Sequence, residues 1–444
     1  MKNLIIILLI IIGLAAINMA VVAEPPVMAA LSILWVIAVL WLSEALHITL
    51  TALLVPLLAA VTGLLTMPEA MKNFAHPIIF LFLGGFAIAI AMHVQGLDKW
   101  LADGILKWTR GRLDRAVILL AGTTAFVSMW ISNTATTAVM LPLVLGLLSE
   151  KEDLPLKTQA YALLAIAYSA NIGGMGTIIG TAPNALVAAQ LEISFSEWLK
   201  FGVPIVGLLW PAVMLGLWWV LKPDFLDNQI EVNHSKFDWT AQRKVLIGIF
   251  LATVLCWLFS RPLSELLGIE KYFDTWVAIA AMIAIGVTRV ATWQQLESKV
   301  DWGVLVLFGG GLTLSQVLQV SGASTFLGFN LAAMIDGWGL ILILATIVVF
   351  VIFLTEVTSN TATTALLVPV FISLPAGLID PVTAALAIGL ASSCAFMLPV
   401  ATPPNALVHG TGKVSQHRMM HTGIYLNLAC ALILTLFLAV IRLS

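Results

Sequence analysis

The sequence predicts an all-α polytopic membrane protein with about 11 transmembrane helices, arranged as an inverted repeat with two opposed re-entrant hairpins. Composition gives the membrane class: 61% of the 444 residues are hydrophobic and only 10% charged, with a mean hydropathy of +1.05, far from soluble usage. Long uncharged runs separated by short charged connections favour helices over the alternating strands of a membrane barrel. The repeat comes from the hexapeptide SNTATT, which occurs at Ser132–Thr137 and again at Ser359–Thr364 inside apolar stretches.

The duplication extends well beyond six residues. Both copies run on to a proline, Pro142 and Pro369, and both have a hydroxyl four positions upstream, Ser128 and Thr355. Gly180–Val187 (GTAPNALV) matches Ala401–Val408 (ATPPNALV), and Phe82–Gly85 matches Phe308–Gly311, with Gly96 and Gly322 at equal distances downstream. The ordered matches keep offsets of 221 to 227, so they read as one duplicated unit.

Taken in order, the candidate spans are 4–22, 28–47, 49–66, 77–97, 158–189, 201–221, 245–260, 273–288, 302–320, 381–408 and 422–441. The first of them shares a basic start and small residues near Ala23 with secretory signals, and is read as a retained helix. The apolar stretches 116–148 and 339–379 are too long for one span and polar at their centres, so each is expected to enter the bilayer and return. With the first residues inside, 16 of the 21 Lys and Arg fall on the cytoplasmic side, as short inner loops require. The first hairpin then opens inward and the second outward. Boundaries follow: 1–73 as N-terminal scaffold helices, 74–222 as first repeat core, 223–244 as cytoplasmic linker, 245–300 as second-repeat scaffold, 301–421 as second repeat core and 422–444 as C-terminal helix.

The polar elements inside these stretches suggest their chemistry. Ser, Asn and Thr supply side-chain oxygens, and a helix broken beside Asn releases backbone carbonyls and amides that are costly in hydrocarbon unless paired or binding something. Carbonyls at the end of one half-helix can hold a cation, and the positive amide end of the next can face an anion. Ser128 and Ser132, like Thr355 and Ser359, share a helical face leading into the break. Gly180 and Ala401 are small enough for backbone oxygen to approach the same ion. Pro183, Pro403 and Pro404 disfavour continuous helix, while Asn184 and Asn405 can tie the broken chain back onto itself. Each half thus contains the parts of one oxygen-lined cation site, weighed against plain interhelical hydrogen bonding. Gly84, Gly85 and Gly309–Gly311 read as helix-packing positions.

On these motifs the chain resembles the divalent anion/sodium symporter family, particularly its bacterial dicarboxylate transporters, over nearly its full length. The resemblance implies an inverted-repeat ion-transporter fold, a homodimer with a scaffold and a moving transport domain, and sodium-driven uptake across the bacterial inner membrane. Carried over by position, Ser128, Ser132, Asn133 and Gly180 match a first sodium site, and Thr355, Ser359, Asn360 and Ala401 a second. Asn133, Thr134, Thr181, Asn360, Thr361, Thr402 and Pro403 match substrate-binding positions. Retention of Thr in both SNT copies favours a C4 dicarboxylate such as succinate, malate or fumarate. A sulfate, tricarboxylate or sodium-independent exchanger is the alternative.

Electrostatics points the same way. Segments 116–149, 158–190, 339–379 and 381–408 contain no Arg, so a dianion in them needs accompanying cations, and Na+ is the expected coupling ion with no other cofactor. Glu356 is the one acid in the second hairpin, and Met129 occupies its matched position. A structural contact there is weighed against a proton relay, and Glu44 with His47 is read as structural anchoring. The Cys and His spacing offers no metal site, and Cys256, Cys394 and Cys430 read as space-filling rather than disulfide-bonded. No nucleophile with a base suggests an enzyme. Besides lipid, substrate and sodium no further partner is expected, and there is no nucleic-acid footprint.

Overall fold

A computed structural model describes residues 2–106, 109, 112–149, 154–225, 238–269, 271–375 and 377–443. The described residues are helical and loop throughout, without strands. In chain order the helices are α1 (Lys2–Ala20), α2 (Pro25–Ser43), α3 (Ile48–Val61), α4 (Met67–Lys72), α5 (Pro77–Val94), α6 (Leu97–Leu106), α7 (Leu113–Ser128), α8 (Asn133–Ser149), α9 (Leu156–Gly173), α10 (Ala182–Leu191) and α11 (Phe195–Leu221). The second half contains α12 (Ala241–Leu258), α13 (Ser260–Leu267), α14 (Phe273–Val287), α15 (Trp293–Lys299), α16 (Trp302–Val320), α17 (Ala323–Met334), α18 (Leu340–Thr355), α19 (Asn360–Phe371), α20 (Pro381–Ala391), α21 (Pro403–Gly410) and α22 (Gln416–Leu443). Of the expected linker 223–244, residues 226–237 lie outside the described residues, and α12 begins within its end, with Thr240 capping the Arg243 amide at 3.3 Å. Lys107, Arg110, Lys151 and Lys236, counted above for orientation, also lie outside them.

Local chemistry sets the boundaries. Proline opens α2, α5, α20 and α21 in the first turn, where its missing N–H costs nothing. Capping boxes start α4 (Thr66 with Glu69), α11 (Ser194 with Glu197) and α15 (Thr292 with Gln295). Gly96 and Gly322, the equidistant pair, both take positive φ, +68° and +78°. They end α5 and α16 and start the short helices α6 and α17, which the sequence reading left unassigned. A side chain would strain the backbone at either point.

Among the described residues, six runs are long and apolar enough to cross a bilayer: Pro25–Ser43, Met67–Val94, Phe195–Leu221, Ala241–Leu258, Trp302–Val320 and Gln416–Arg442. Shorter apolar helices make up the rest, among them Asn133–Ser149, Leu340–Thr355, Asn360–Phe371 and Pro381–Ala391, which flank the breaks of the repeat core. The stretch 116–148 folds as α7 and α8 joined at Met129–Ser132, and 339–379 as α18 and α19 joined at Glu356–Ser359. Likewise 158–189 is α9 and α10 with a break between them, and 381–408 is α20 and α21.

The halves interleave. Helix α10 of the first half packs on α19 and α20 of the second, and α21 of the second packs on α8 and α9 of the first. The glycine motifs serve close packing: a β-carbon on Gly84 would strike Ala278, and one on Gly310 would strike Ala52. All three cysteines carry free thiols.

Candidate functional site

Four helices, α8, α10, α19 and α21, begin at residues that line one cavity of about 1030 Å³. Asn133, Ala182, Asn360 and Pro403 are their first residues, so the N-terminal ends of four helices surround the same space. Such ends carry partial positive charge and suit an anion. The preceding helices α7 and α18 bring the opposite, carbonyl-bearing ends to the same breaks.

Within the first break, Ser128 Oγ is buried and shared between Asn133 Oδ1 at 2.7 Å and the Ala170 carbonyl at 2.8 Å. Ser132 caps α8 by accepting from the Ala135 amide at 3.3 Å. The second break repeats this geometry. Thr355 Oγ1 is shared between Asn360 Oδ1 and the Ser392 carbonyl, and Ser359 caps α19 through the Ala362 amide at 3.5 Å.

The later turns match as closely. Asn184 Nδ2 donates to the carbonyls of Gly174 at 2.9 Å and Thr177 at 2.7 Å. Asn405 Nδ2 donates to those of Ala395 at 3.0 Å and Leu398 at 3.1 Å. Both asparagines therefore tie the broken chain to itself, as their positions suggested.

Ser132, Asn133, Thr134, Gly180, Thr181, Ser359, Asn360, Thr361, Ala401, Thr402 and Pro403 all line the cavity. Ser128 and Thr355 do not; each sits behind the lining, holding the asparagine of its own SNT copy. Residues separated by more than 200 positions in the chain thus meet at one place.

Two further groups join them that the sequence reading did not single out. Asn171, at the end of α9, crosses between the halves, its Nδ2 donating to Thr402 Oγ1 at 3.1 Å and Asn405 Oδ1 at 3.3 Å. A polar residue just ahead of a glycine-rich break is the signal that could have found it. Lys299 and Asp301, both exposed, line the rim with Ser43, Glu44 and His93. These residues are remote from the SNT motifs in sequence, so only the fold brings them near.

Glu356 makes a structural contact. Its Oε1 accepts from the amides of Phe396 (2.7 Å) and Met397 (2.9 Å) and from Asn427 Nδ2 (2.7 Å), and its Oε2 accepts from the Leu398 amide (2.9 Å). It pins the segment before Ala401 to the tip of α18 and to α22. His47 accepts from the Thr49 amide at 3.4 Å and caps α3, while Glu44, expected to pair with it, lines the cavity.

Comparison with known proteins identifies the family: residues 38–389 match the model described as citrate transporter. The chain belongs to the citrate transporter family, of the divalent anion/sodium symporter type. An "uncharacterized transporter" of Haemophilus influenzae is 50% identical over 420 residues, covering 93% of this chain and 91% of that protein. The sodium-dependent dicarboxylate transporter SdcS of Staphylococcus saprophyticus is 33% identical over 449 residues, covering 91% and 83%. In fold, the chain is similar to the YdaH transporter of Alcanivorax borkumensis, with a TM-score of 0.61 at 15% identity over 84% of this chain and 86% of that one. This member of the citrate transporter family is a polytopic membrane transporter rather than an enzyme.

Proposed function

We propose that the protein is a sodium-coupled symporter that takes up C4 dicarboxylates such as succinate, malate or fumarate across the bacterial inner membrane. The observation that carries this reading is the convergence of both SNT copies and both T-x-P-N turns on one cavity ringed by four helix N-termini. The amide ends and Thr134, Thr181, Thr361 and Thr402 suit two carboxylates. The oxygens at each break suit a small monovalent cation. Asn171 Oδ1 and Asn184 Oδ1, buried beside the breaks without partners, are acceptors of the kind a cation satisfies.

Among the described residues no arginine lines the cavity, and the lysine that does, Lys299, lies exposed at the rim with Asp301. A dianion deeper in would be held without fixed counter-charge, so co-bound Na+ offsets the desolvation cost. The rim residues belong to the side assigned to the cytoplasm, which makes this an inward-open arrangement in our reading. Transport then follows as an elevator movement: the repeat core shifts against scaffold helices from 1–73 and 245–300 in a homodimer. Each net charge carried contributes about 2.3 kcal/mol per 100 mV.

The family's description as citrate transporter and the size of the cavity favour one second reading, a tricarboxylate substrate. Uptake of radiolabelled succinate by proteoliposomes under imposed Na+, H+ and K+ gradients, with malate, citrate and sulfate as competitors, tests both. Accumulation driven by H+ without Na+ would reject the coupling; complete competition by citrate with little by malate would select the second reading.

A further inference from the structure

Asn405 spends its side-chain nitrogen on the carbonyls of Ala395 and Leu398, so its Oδ1 is left facing the first half as an acceptor. Asn171 meets it there, and only a donor satisfies that meeting. Asn171 Nδ2 therefore points at Asn405 Oδ1, 3.3 Å away, and the same nitrogen lies 3.1 Å from Thr402 Oγ1, which accepts its second hydrogen. Thr402 Oγ1 also accepts from the Asn405 backbone amide at 3.3 Å. A hydroxyl has two lone pairs and one proton. Both lone pairs of Thr402 are thus taken, and among the described residues no acceptor receives its proton. Thr402 and Asn171 both line the cavity.

The first half lacks this device. Thr181, the residue matched to Thr402, has nearly the same backbone, φ −149° and ψ 148° against −143° and 150°. Its hydroxyl makes no capping bond, whereas that of Thr402 does. The same spacing carried on from Asn171 leads to Ser392. Ser392 Oγ donates to the Gly389 carbonyl at 2.8 Å and accepts from Thr364 at 3.0 Å, both in its own half. Among the described residues, then, nothing does for Thr181 what Asn171 does for Thr402.

Resting on the dicarboxylate reading above, we infer that Asn171 is a positioning residue that fixes Thr402 as a hydrogen-bond donor to substrate, making the Thr402 end of the cavity a preset carboxylate site and leaving the Thr181 end adaptable. A carboxylate only accepts, so it fits a donor that cannot turn. Fixing the hydroxyl before substrate arrives also lowers the ordering cost of binding. Thr181 can turn to donate or to accept, and selection at its end falls to other groups.

The test is a double-mutant cycle in proteoliposomes, read as KM for succinate at saturating Na+ and as maximal rate per reconstituted transporter. Thr402→Val keeps the shape but loses the hydroxyl, and should raise KM on the order of ten-fold, the effect of one hydrogen bond to a charged group. Asn171→Ala should raise KM about five-fold and leave the maximal rate within about two-fold. In the Thr402→Val background it should add less than about two-fold, since no hydroxyl is left to orient, and in a Thr181→Val background it should keep its full effect. Whatever Asn171 does for Asn405 or for a cation is lost in every background and cancels in the cycle. Thr402→Ser, which retains the oxygen, should keep KM within about two-fold of wild type.

A structural Asn171 would lower stability and leave KM unmoved, or would raise KM equally with and without the Thr402 hydroxyl; either result overturns the inference. Should Asn171→Ala fail to reach the membrane, the milder truncation Asn171→Ser goes through the same cycle, and an unmoved KM or a rise that survives Thr402→Val overturns it. Wild type without saturable succinate uptake would remove the dicarboxylate reading along with this inference. Saturable uptake with independent effects of Asn171 and Thr402 would remove this inference alone.

Discussion

Between α9 and α10 the first half holds its broken backbone by close approach of glycines: a β-carbon would strike Ala125 from Gly173, Asn133 from Gly174, and the Gly174 carbonyl from Gly180. Between α20 and α21 the second half has Cys394, Ala395 and Ala401 at the matched positions, and binds three amides to a buried carboxylate instead. The asparagine ties and the hydroxyl contacts are shared. Similar broken-helix geometry is thus reached once by removing side chains and once by adding a charge. A duplicated unit can keep its site while the supports beneath it diverge.

The largest effect is expected at the matched pair Glu356 and Met129. Glu356→Leu leaves four donors, two buried and two part-buried, without their acceptor and should cost about 3 kcal/mol or more of stability, whereas Met129→Leu, similar in volume, should cost less than about 1.5 kcal/mol. Thermal unfolding in detergent ranks the two. Equal losses would break the proposed division of labour.

Next comes an exchange of the small residues. Gly180→Ala places a methyl group against the Gly174 carbonyl and should cost about 1–3 kcal/mol, read as reduced uptake and a raised Na+ requirement. The reverse change in the second half, Ala401→Gly, opens no such clash and should be the milder. A tolerated Gly180→Ala would show that the first break does not rely on close approach there.

The asparagines sharpen the contrast further. Both lose two carbonyl ties on truncation, but Asn405 also accepts from Asn171. Asn405→Ala should therefore be the more damaging by about 1 kcal/mol, and Asn171→Ala should remove most of that difference in a double-mutant cycle. At the tips, Ser132→Ala and Ser359→Ala should chiefly raise the Na+ needed for half-maximal uptake, whereas Thr134→Ala and Thr361→Ala should chiefly raise KM for substrate. The smallest effect is expected at Lys299, exposed on the rim. Lys299→Ala should change apparent affinity by at most about 1 kcal/mol, and only at low ionic strength.

Much of the site was legible in the linear chain because its parts are local. A cap, a hydroxyl four residues before it, and an asparagine that reaches back seven and ten residues are short-range devices, so duplicated spacing was enough to locate them. Gly96 and Gly322 belong to the same class: only glycine takes the left-handed turn cheaply, and equal spacing flagged both. The short helices α6 and α17 after them were missed, since neither is long enough to stand out as a span.

Sequence by itself determined the membrane class, the duplication, the places where helices break and nearly all the residues at those breaks, because hydropathy, proline and capping chemistry act over a few neighbours. Tertiary structure decided what those breaks face. The exchange of α10 and α21 between the halves, the bridge from Asn171 to Asn405, the rim formed by Lys299 and Asp301, and the clamp on Glu356 all join residues far apart in the chain. Such contacts depend on how helices pack across the molecule, and no local spacing encodes that.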